Sequence, residues 1–149
     1  MRRFPVAIAL VAALAVPSAA VVGLSGTAGA AVLGTSCAKL TGNASTNVTL
    51  SACSPKLATY ASATGKSSAL LNGGTITWST SKKTTVIAKP TVTSVTPNTC
   101  ASGSSEVKAV GKITGGTATY TKAGETFTAR VCVASTGALS LAPGTKATF

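Results

Sequence analysis

The sequence contains no histidine and no aspartate, and its only acidic residues are Glu106 and Glu125. Without histidine or aspartate, the Ser-His-Asp and Cys-His arrangements that activate a nucleophile cannot be built. Common zinc sites need imidazole or free thiolate ligands and calcium sites need several carboxylates, so neither metal site is expected. We therefore predict no catalytic, metal-binding or cofactor-binding residues, no cofactor, and a protein that is not an enzyme.

Two catalytic arrangements stay open on composition alone. Glu106 and Glu125 are the two carboxylates that a glycosidase would need. The alternative is that they are isolated surface glutamates on polar stretches of different strands. A serine–lysine dyad is also open, although no motif points to one. The segment GKSS at 65–68 lacks the rest of a phosphate-binding loop.

Hydrophobic runs of membrane-spanning length are absent after the N-terminal region. That region begins with two arginines, continues with an apolar segment at 6–16 and ends with Ala-Gly-Ala at 28–30, which is the pattern of a signal peptide. We predict cleavage after Ala30, with Ala20 and Ala31 as alternatives. A permanent N-terminal anchor is the competing interpretation, and the arginine pair leaves Sec and Tat export open. Residues 31–149 are then a single secreted domain with no membrane span.

Acidic charge is scarce, whereas basic charge is abundant. The chain has 13 basic and 2 acidic residues. Loss of the two leader arginines leaves a net charge of +9. Such a charge favours contact with anionic polymers or acidic proteins. The predicted polyanion contacts are Lys82, Lys83, Lys108, Lys112 and Arg130. The alternative is a solvated lysine coat that maintains solubility. No basic residues interleave with aromatic ones, so specific nucleic-acid binding is not expected.

Runs in which apolar and hydroxyl side chains alternate predict β-strands. Glycine and proline separate these runs, and short strands punctuated in this way are typical of an antiparallel sandwich or barrel. We predict an all-β fold, specifically an antiparallel β-sandwich that is immunoglobulin-like or related. Only 55–71 could hold a helix, and its serine, threonine and glycine content favours a loop. The predicted strands lie at 47–52, 74–80, 84–89, 107–113, 117–121, 124–133, 137–141 and 145–149.

Aromatic residues make up only 4% of the chain. The predicted core therefore combines valine, leucine and isoleucine with the few rings of the mature chain. Trp78 shares its face of the strand with Ile76, which favours a core position over a platform for sugar binding. The core rings are predicted to be Tyr60, Trp78, Tyr120, Phe127 and Phe149.

The four cysteines form an even set in an exported context, which predicts two disulfides. We favour Cys37–Cys53 and Cys100–Cys132 among the three pairings, because each segment reads as a local hairpin. Counting by twos places Cys53 and Cys132 on the hydroxyl-bearing faces of their strands. The bridges are therefore expected to tie neighbouring strands or loops near the rim, not to cross the core. The alternative is a bulge that resets the alternation just before each cysteine.

Three segments carry a family resemblance: ITW at 76–78, GKITGGT at 111–117 and VCVASTGALSLAPGTK at 131–146. Together with the signal-peptide pattern, they resemble small secreted β-proteins of actinobacteria that carry no assigned function. The resemblance implies secretion and an all-β fold. It implies no catalytic or binding residues.

The leading functional hypothesis is a secreted, non-enzymatic module that binds an anionic cell-envelope polymer or an extracellular protein. The alternative is an inhibitor of an extracellular enzyme such as a protease, presenting a disulfide-held loop. The inserting segment would be TPNTCASGSS at 96–105 or ATGKSSALLNGG at 63–74, and both are expected to be exposed and flexible.

Overall fold

The computed structural model of the chain describes residues 34–54 and 60–149, which form ten β-strands and one five-residue helix. The predicted all-β fold is confirmed. The predicted signal peptide lies outside the described residues and stays a prediction. In chain order the elements are β1 (Ser36–Asn43), β2 (Asn47–Ser54), β3 (Ala63–Lys66), α1 (Ser67–Leu71), β4 (Gly74–Trp78), β5 (Thr84–Ile87), β6 (Thr91–Ser94), β7 (Ser104–Gly116), β8 (Thr126–Ala134), β9 (Ala138–Leu141) and β10 (Ala147–Thr148).

Eight of the strands close into one antiparallel barrel. Hydrogen-bonded neighbours follow in the order β1, β2, β3, β4, β5, β7, β8 and β9, and β9 pairs again with β1. The predicted sandwich of two sheets is therefore wrong. Strands with alternating apolar and hydroxyl side chains occur in both sandwiches and barrels. Closure of a barrel depends instead on pairing between strands that are far apart in the chain.

The two remaining strands, β6 and β10, lie beside the closed barrel. β10 pairs with β1 at Ser36 and Cys37, and β9 pairs with the same strand at Gly42 and Asn43. The short strands β9 and β10 therefore follow one another along the gap between β1 and β8. β6 pairs with the first half of β7, while β5 pairs with its last residues.

Hydroxyl side chains cover much of the outer wall of the barrel. The clearest case is a cross-strand row of threonines in register on β1 to β5, formed by Thr41, Thr49, Thr64, Thr77 and Thr84. Paired threonines on neighbouring strands stabilise a sheet modestly. This row accounts for the hydroxyl side of the alternation that predicted the strands.

An aromatic cluster fills the barrel. Trp78 is fully buried, and its ring lies 5.2 Å from that of Tyr60 and 5.8 Å from that of Phe149. Phe127 packs 5.2 Å from Phe149. The Trp78 Nε1–H donates to the hydroxyl of Thr85 at 3.0 Å, which satisfies the one polar atom of the indole. Trp78 is therefore a core residue, as predicted.

Two predictions for individual segments are wrong. The segment at 117–121 is not a strand: the N–H groups of Thr117 and Ala118 both donate to the Thr84 carbonyl, and the segment runs irregularly beside the start of β5. The segment at 63–74 is not an exposed flexible loop. It contains β3, α1 and the start of β4, and Ser67, Ala69 and Leu70 are buried. The prediction that 63–74 is an exposed inserting loop of an inhibitor is therefore wrong.

The two predicted disulfides are present, with the favoured pairing. Cys132 lies on the outer face of β8, where counting by twos placed it, because Phe127, Ala129 and Val131 point into the core. Its partner Cys100 lies in the loop before β7. This bridge therefore ties a loop to the outside of the barrel.

The bridge between Cys37 and Cys53 joins directly paired residues of β1 and β2, but it lies inside the core. The predicted outward position of Cys53 is wrong. Ala52 has a φ of +53° and is exposed, so the alternation is reset between Leu50 and Cys53. The register is the same on both sides of Ala52, so the irregularity adds no residue to either strand.

Candidate functional site

The loop between β6 and β7 folds back over the outer face of β7 and β8. The Cys100–Cys132 disulfide fixes its middle. The Asn98 side chain braces it further, because its amide donates to the Ser104 carbonyl at 2.6 Å and its oxygen accepts from the Cys100 N–H at 2.9 Å. Most of the loop is nevertheless exposed. It is thus an anchored loop with an accessible surface.

Glu106 lies beneath this loop and its side chain is completely buried. Its Oε2 accepts hydrogen bonds from the N–H and the hydroxyl of Thr99, at 2.7 and 2.8 Å. Its Oε1 accepts from the Nε of Arg130 at 2.7 Å, and the Nη2 of the same guanidinium lies 2.5 Å away. Both carboxylate oxygens therefore have two partners, and charge-assisted bonds of this kind are the stronger ones.

These partners hold the pKa of Glu106 below its ordinary value. The Thr99 backbone N–H is the largest cause, and the Thr99 hydroxyl and Arg130 act in the same direction. Burial opposes them, because it disfavours the charged form, but it does not reverse the shift. Glu106 is therefore an ionised structural residue, and the expectation of an isolated surface glutamate is wrong for it.

Glu125 lies far from Glu106. Its backbone carbonyl accepts from the Ile113 N–H, so the two glutamates are separated by about seven residues of β7, or roughly 24 Å. The paired carboxylates of glycosidases lie about 5 to 10 Å apart. The Glu125 carboxylate instead accepts from the Lys122 N–H at 2.7 Å and braces the turn before β8. The two glutamates therefore do not form a glycosidase pair.

An open cleft of about 490 Å³ lies between the anchored loop and the sheet. Lys108 on β7 and Arg130 on β8 are paired in register and form its sheet side. The charge of Arg130 is balanced by Glu106, so Lys108 supplies the uncompensated charge. The loop side of the cleft is lined by Val95, Thr96, Pro97 and Thr99.

The five predicted polyanion contacts do not meet at one place. Lys112 lies four residues beyond Lys108 on β7, about 13 Å away, and its Nζ donates to the Thr126 hydroxyl at 3.1 Å. Lys82 and Lys83 lie in the turn before β5, which pairs with the far end of β7. That turn is roughly 25 Å from Lys108 along the barrel wall. The structure therefore joins only Lys108 and Arg130.

The positive charge is instead spread over the whole barrel surface. All nine lysines in the described residues are exposed, and the single ion pair there is the one between Arg130 and Glu106. Glu106 is buried in that pair, and Glu125 is half-buried. The surface thus carries many ammonium groups with almost no neighbouring carboxylate. The lysines are Lys39, Lys66, Lys82, Lys83, Lys89, Lys108, Lys112, Lys122 and Lys146.

The sequence reasoning missed two features of this region. The first is the link from Glu106 to Thr99 and Arg130, and the second is strand β6 beside the anchored loop. The sequence contains one indication of the Glu106 link, because this glutamate lies close to a cysteine in a chain that has almost no acidic residues. Its burial depends on the fold of the loop, which no local pattern specifies.

Comparisons of the chain with protein-family models, with curated protein sequences and with solved structures gave no significant match. The resemblance to secreted actinobacterial β-proteins stays a prediction. Within residues 34–54 and 60–149, no helix has the length and hydropathy needed to cross a membrane.

Proposed function

We propose that the mature chain is a secreted, non-enzymatic module that binds anionic polymers of the cell envelope. One observation carries the proposal: all nine described lysines are exposed, while the one ion pair of the described residues uses the sole described arginine and a buried glutamate. The lysines therefore remain available to an external anion. The two disulfides support an oxidising, extracellular location.

The distribution of the lysines indicates the kind of ligand. They occur in the turn at 82–83, on the outer face of β7, on β1 and β3, and in the segments before β6, β8 and β10, so they do not converge on one place. A flexible polymer with repeated phosphate or carboxylate groups can contact several of them at once. Attraction between exposed charges is screened by salt, so such binding should weaken as ionic strength rises.

The direct test is retention of the mature protein on immobilised polyphosphate, with neutral dextran as the control matrix. We expect retention on polyphosphate only. Elution is expected as ionic strength rises from about 0.05 to about 0.5 M, over which the Debye length falls from about 14 Å to about 4 Å. Equal retention on dextran, or no retention at low salt, would contradict the proposal.

Paired charge reversals test whether the whole surface takes part. Lys82→Glu with Lys83→Glu alters one end of the barrel, and Lys108→Glu with Lys112→Glu alters the β7 face. Both pairs should weaken retention to a similar extent, whereas the matched lysine-to-arginine pairs keep the charge and should bind like the wild type. If only one reversal pair weakened retention, a localised site would replace the proposed surface.

A second candidate function is inhibition of an extracellular enzyme by the anchored loop. The specific observation is that most of the segment 95–103 is exposed, although a disulfide, Asn98 and Glu106 brace it. A loop held in one conformation loses little entropy on binding, which favours affinity. Titration of several extracellular proteases should then reveal stoichiometric inhibition of at least one. Ordinary cleavage within the loop by all of them would exclude this function.

A further inference from the structure

We propose that the open edge of β6 binds an extended acidic segment of a partner protein as an additional antiparallel strand. This goes beyond the proposed polymer binding, because the contact requires backbone donors and acceptors at one defined place. Addition of a strand to a sheet edge is a general mode of peptide recognition.

No strand among residues 34–54 and 60–149 pairs with this edge. β5 and β6 run along the same side of β7, and the segment 88–90 separates them. β4 pairs with every residue of β5, but it does not extend to β6. Within the described part of the chain, β6 has β7 as its sole neighbour.

The backbone orientation shows which groups are free. The Val95 N–H donates to the Glu106 carbonyl at 3.0 Å, so residue 95 points its backbone groups towards β7. In an antiparallel ladder, alternate residues point the same way. Thr91 and Thr93 therefore pair with β7, while Val92 and Ser94 direct their N–H and C=O groups to the open edge. An added strand would form up to four backbone hydrogen bonds there.

The side chains leave the edge accessible. All four residues of β6 are exposed. Among the described residues, Val92 is the one large hydrophobic side chain that is exposed, at 42%. Edge strands are usually protected by lysine, by proline or by a covering segment. β6 contains no charge and no proline, although Pro90 precedes it. Val92 offers an apolar contact to a residue of the added strand.

The local charge specifies an acidic partner. Thr93, Lys108 and Arg130 lie on one cross-strand row of the outer face. An added strand would lie about 10 Å from β7, two strand spacings away, and the long Lys108 side chain spans much of that distance. Lys89, in the segment that leads into β6, is also exposed. A carboxylate on the outward side of the partner strand would therefore face lysines that form no ion pair with the described residues.

A second copy of the chain fits this edge less well. The described residues contain ten basic and two acidic side chains, so two copies would bring like charges together. An acidic segment instead reduces the repulsion. We therefore assign the edge to a partner protein with alternating carboxylates.

The probe is a labelled ten-residue peptide in which glutamate alternates with valine and threonine. One control peptide has the same charge but carries proline at two central positions, and another replaces each glutamate with lysine. We expect saturable binding of the first peptide to the mature protein and slower hydrogen exchange at the Val92 and Ser94 amides. Both control peptides should bind at least tenfold more weakly.

Variants locate the contact. Val92→Pro removes an N–H that points to the open edge and keeps those that pair with β7, a position where proline is tolerated. This variant should lose peptide binding while retaining its β-sheet circular dichroism and its polyphosphate retention. If the proline variant does not fold, Val92→Glu is the alternative test, because it repels the acidic peptide without changing the backbone. Lys108→Glu should weaken peptide binding, whereas Lys122→Glu, with the same charge change in the turn before β8, should not.

Three results would overturn this inference. Equal binding of the proline-containing acidic peptide would show that charge alone attracts it, and the polymer proposal would still stand. Self-association that Val92→Pro abolishes would make a second copy the occupant. Absence of peptide binding by a folded protein would leave the edge without a partner of the proposed chemistry.

Discussion

Gly116 is the most sensitive test of barrel closure. It is the last residue of β7, and it pairs with Thr85 across the seam between β5 and β7. Its φ is +123°, a conformation that residues with a side chain rarely adopt. A Cβ added there would lie 2.8 Å from the carbonyl carbon of Thr84 and 2.9 Å from the Cα of Thr85. Both are backbone atoms, so only a shift of the seam could relieve the clash.

Gly144 provides the matched control for a Gly116→Ala substitution. Its φ is +70°, and an added Cβ would meet nothing within 4 Å. Gly144→Ala should therefore carry only the conformational cost, about 1 kcal/mol. Gly116→Ala has that cost as well. It also disturbs the hydrogen bonds from Thr117 and Ala118 to the Thr84 carbonyl, at about 1 kcal/mol each. We expect a total destabilisation of about 3 kcal/mol.

Thermal unfolding followed by the fluorescence of Trp78, the single tryptophan, measures both variants. For a domain of this size, 1 kcal/mol corresponds to roughly 4 °C. The expected decrease in Tm is therefore roughly 12 °C for Gly116→Ala and roughly 4 °C for Gly144→Ala. Equal decreases would refute the close approach of β5 and β7, and with it the closure of the barrel at this seam.

Three further predictions concern the core and the buried carboxylate. Because its pKa is lowered in the folded state, ionised Glu106 stabilises the fold above the ordinary value of 4.5, and this contribution is lost as the pH falls through the folded-state pKa. Glu106→Gln should therefore show a flatter dependence of Tm on pH in the acidic range than the wild type. Trp78→Phe removes the bond to Thr85 and leaves a void, and urea unfolding should show a loss of about 2 to 3 kcal/mol. Replacing Cys37 and Cys53 together by alanine opens a loop with a sequence separation of 16 residues, and denaturant unfolding should show a loss of at least about 3 kcal/mol.

Strands β2, β4, β5 and β7 to β10 and the core could be predicted because they depend on local alternation. The run from Thr126 to Val131 alternates in the structure as it does in the sequence, and Trp78 is buried on the face that it shares with Ile76. Cys132 also follows this pattern. Cys53 does not, because the positive φ of Ala52 interrupts the alternation. A single backbone conformation of this kind has no reliable sequence signal for alanine.

The closure of the barrel and the burial of Glu106 could not be predicted, because both depend on contacts between distant segments. Closure requires β9 to pair with β1, nearly a hundred residues earlier in the chain. Glu106 is buried only because the loop that contains Thr99 folds back onto β7 and β8. The open edge of β6 likewise appears only when the ends of β4 and β5 are known.

The affinity of residues 31–149 for soluble polyphosphate, measured calorimetrically at several NaCl concentrations, tests the functional proposal most directly. If the exposed lysines form the contact, the logarithm of the affinity should fall steadily as the logarithm of the salt concentration rises, with a slope corresponding to several neutralised charges. An affinity that does not change with salt, or no measurable binding at the lowest salt concentration, would contradict the assignment of the lysine surface as the binding surface.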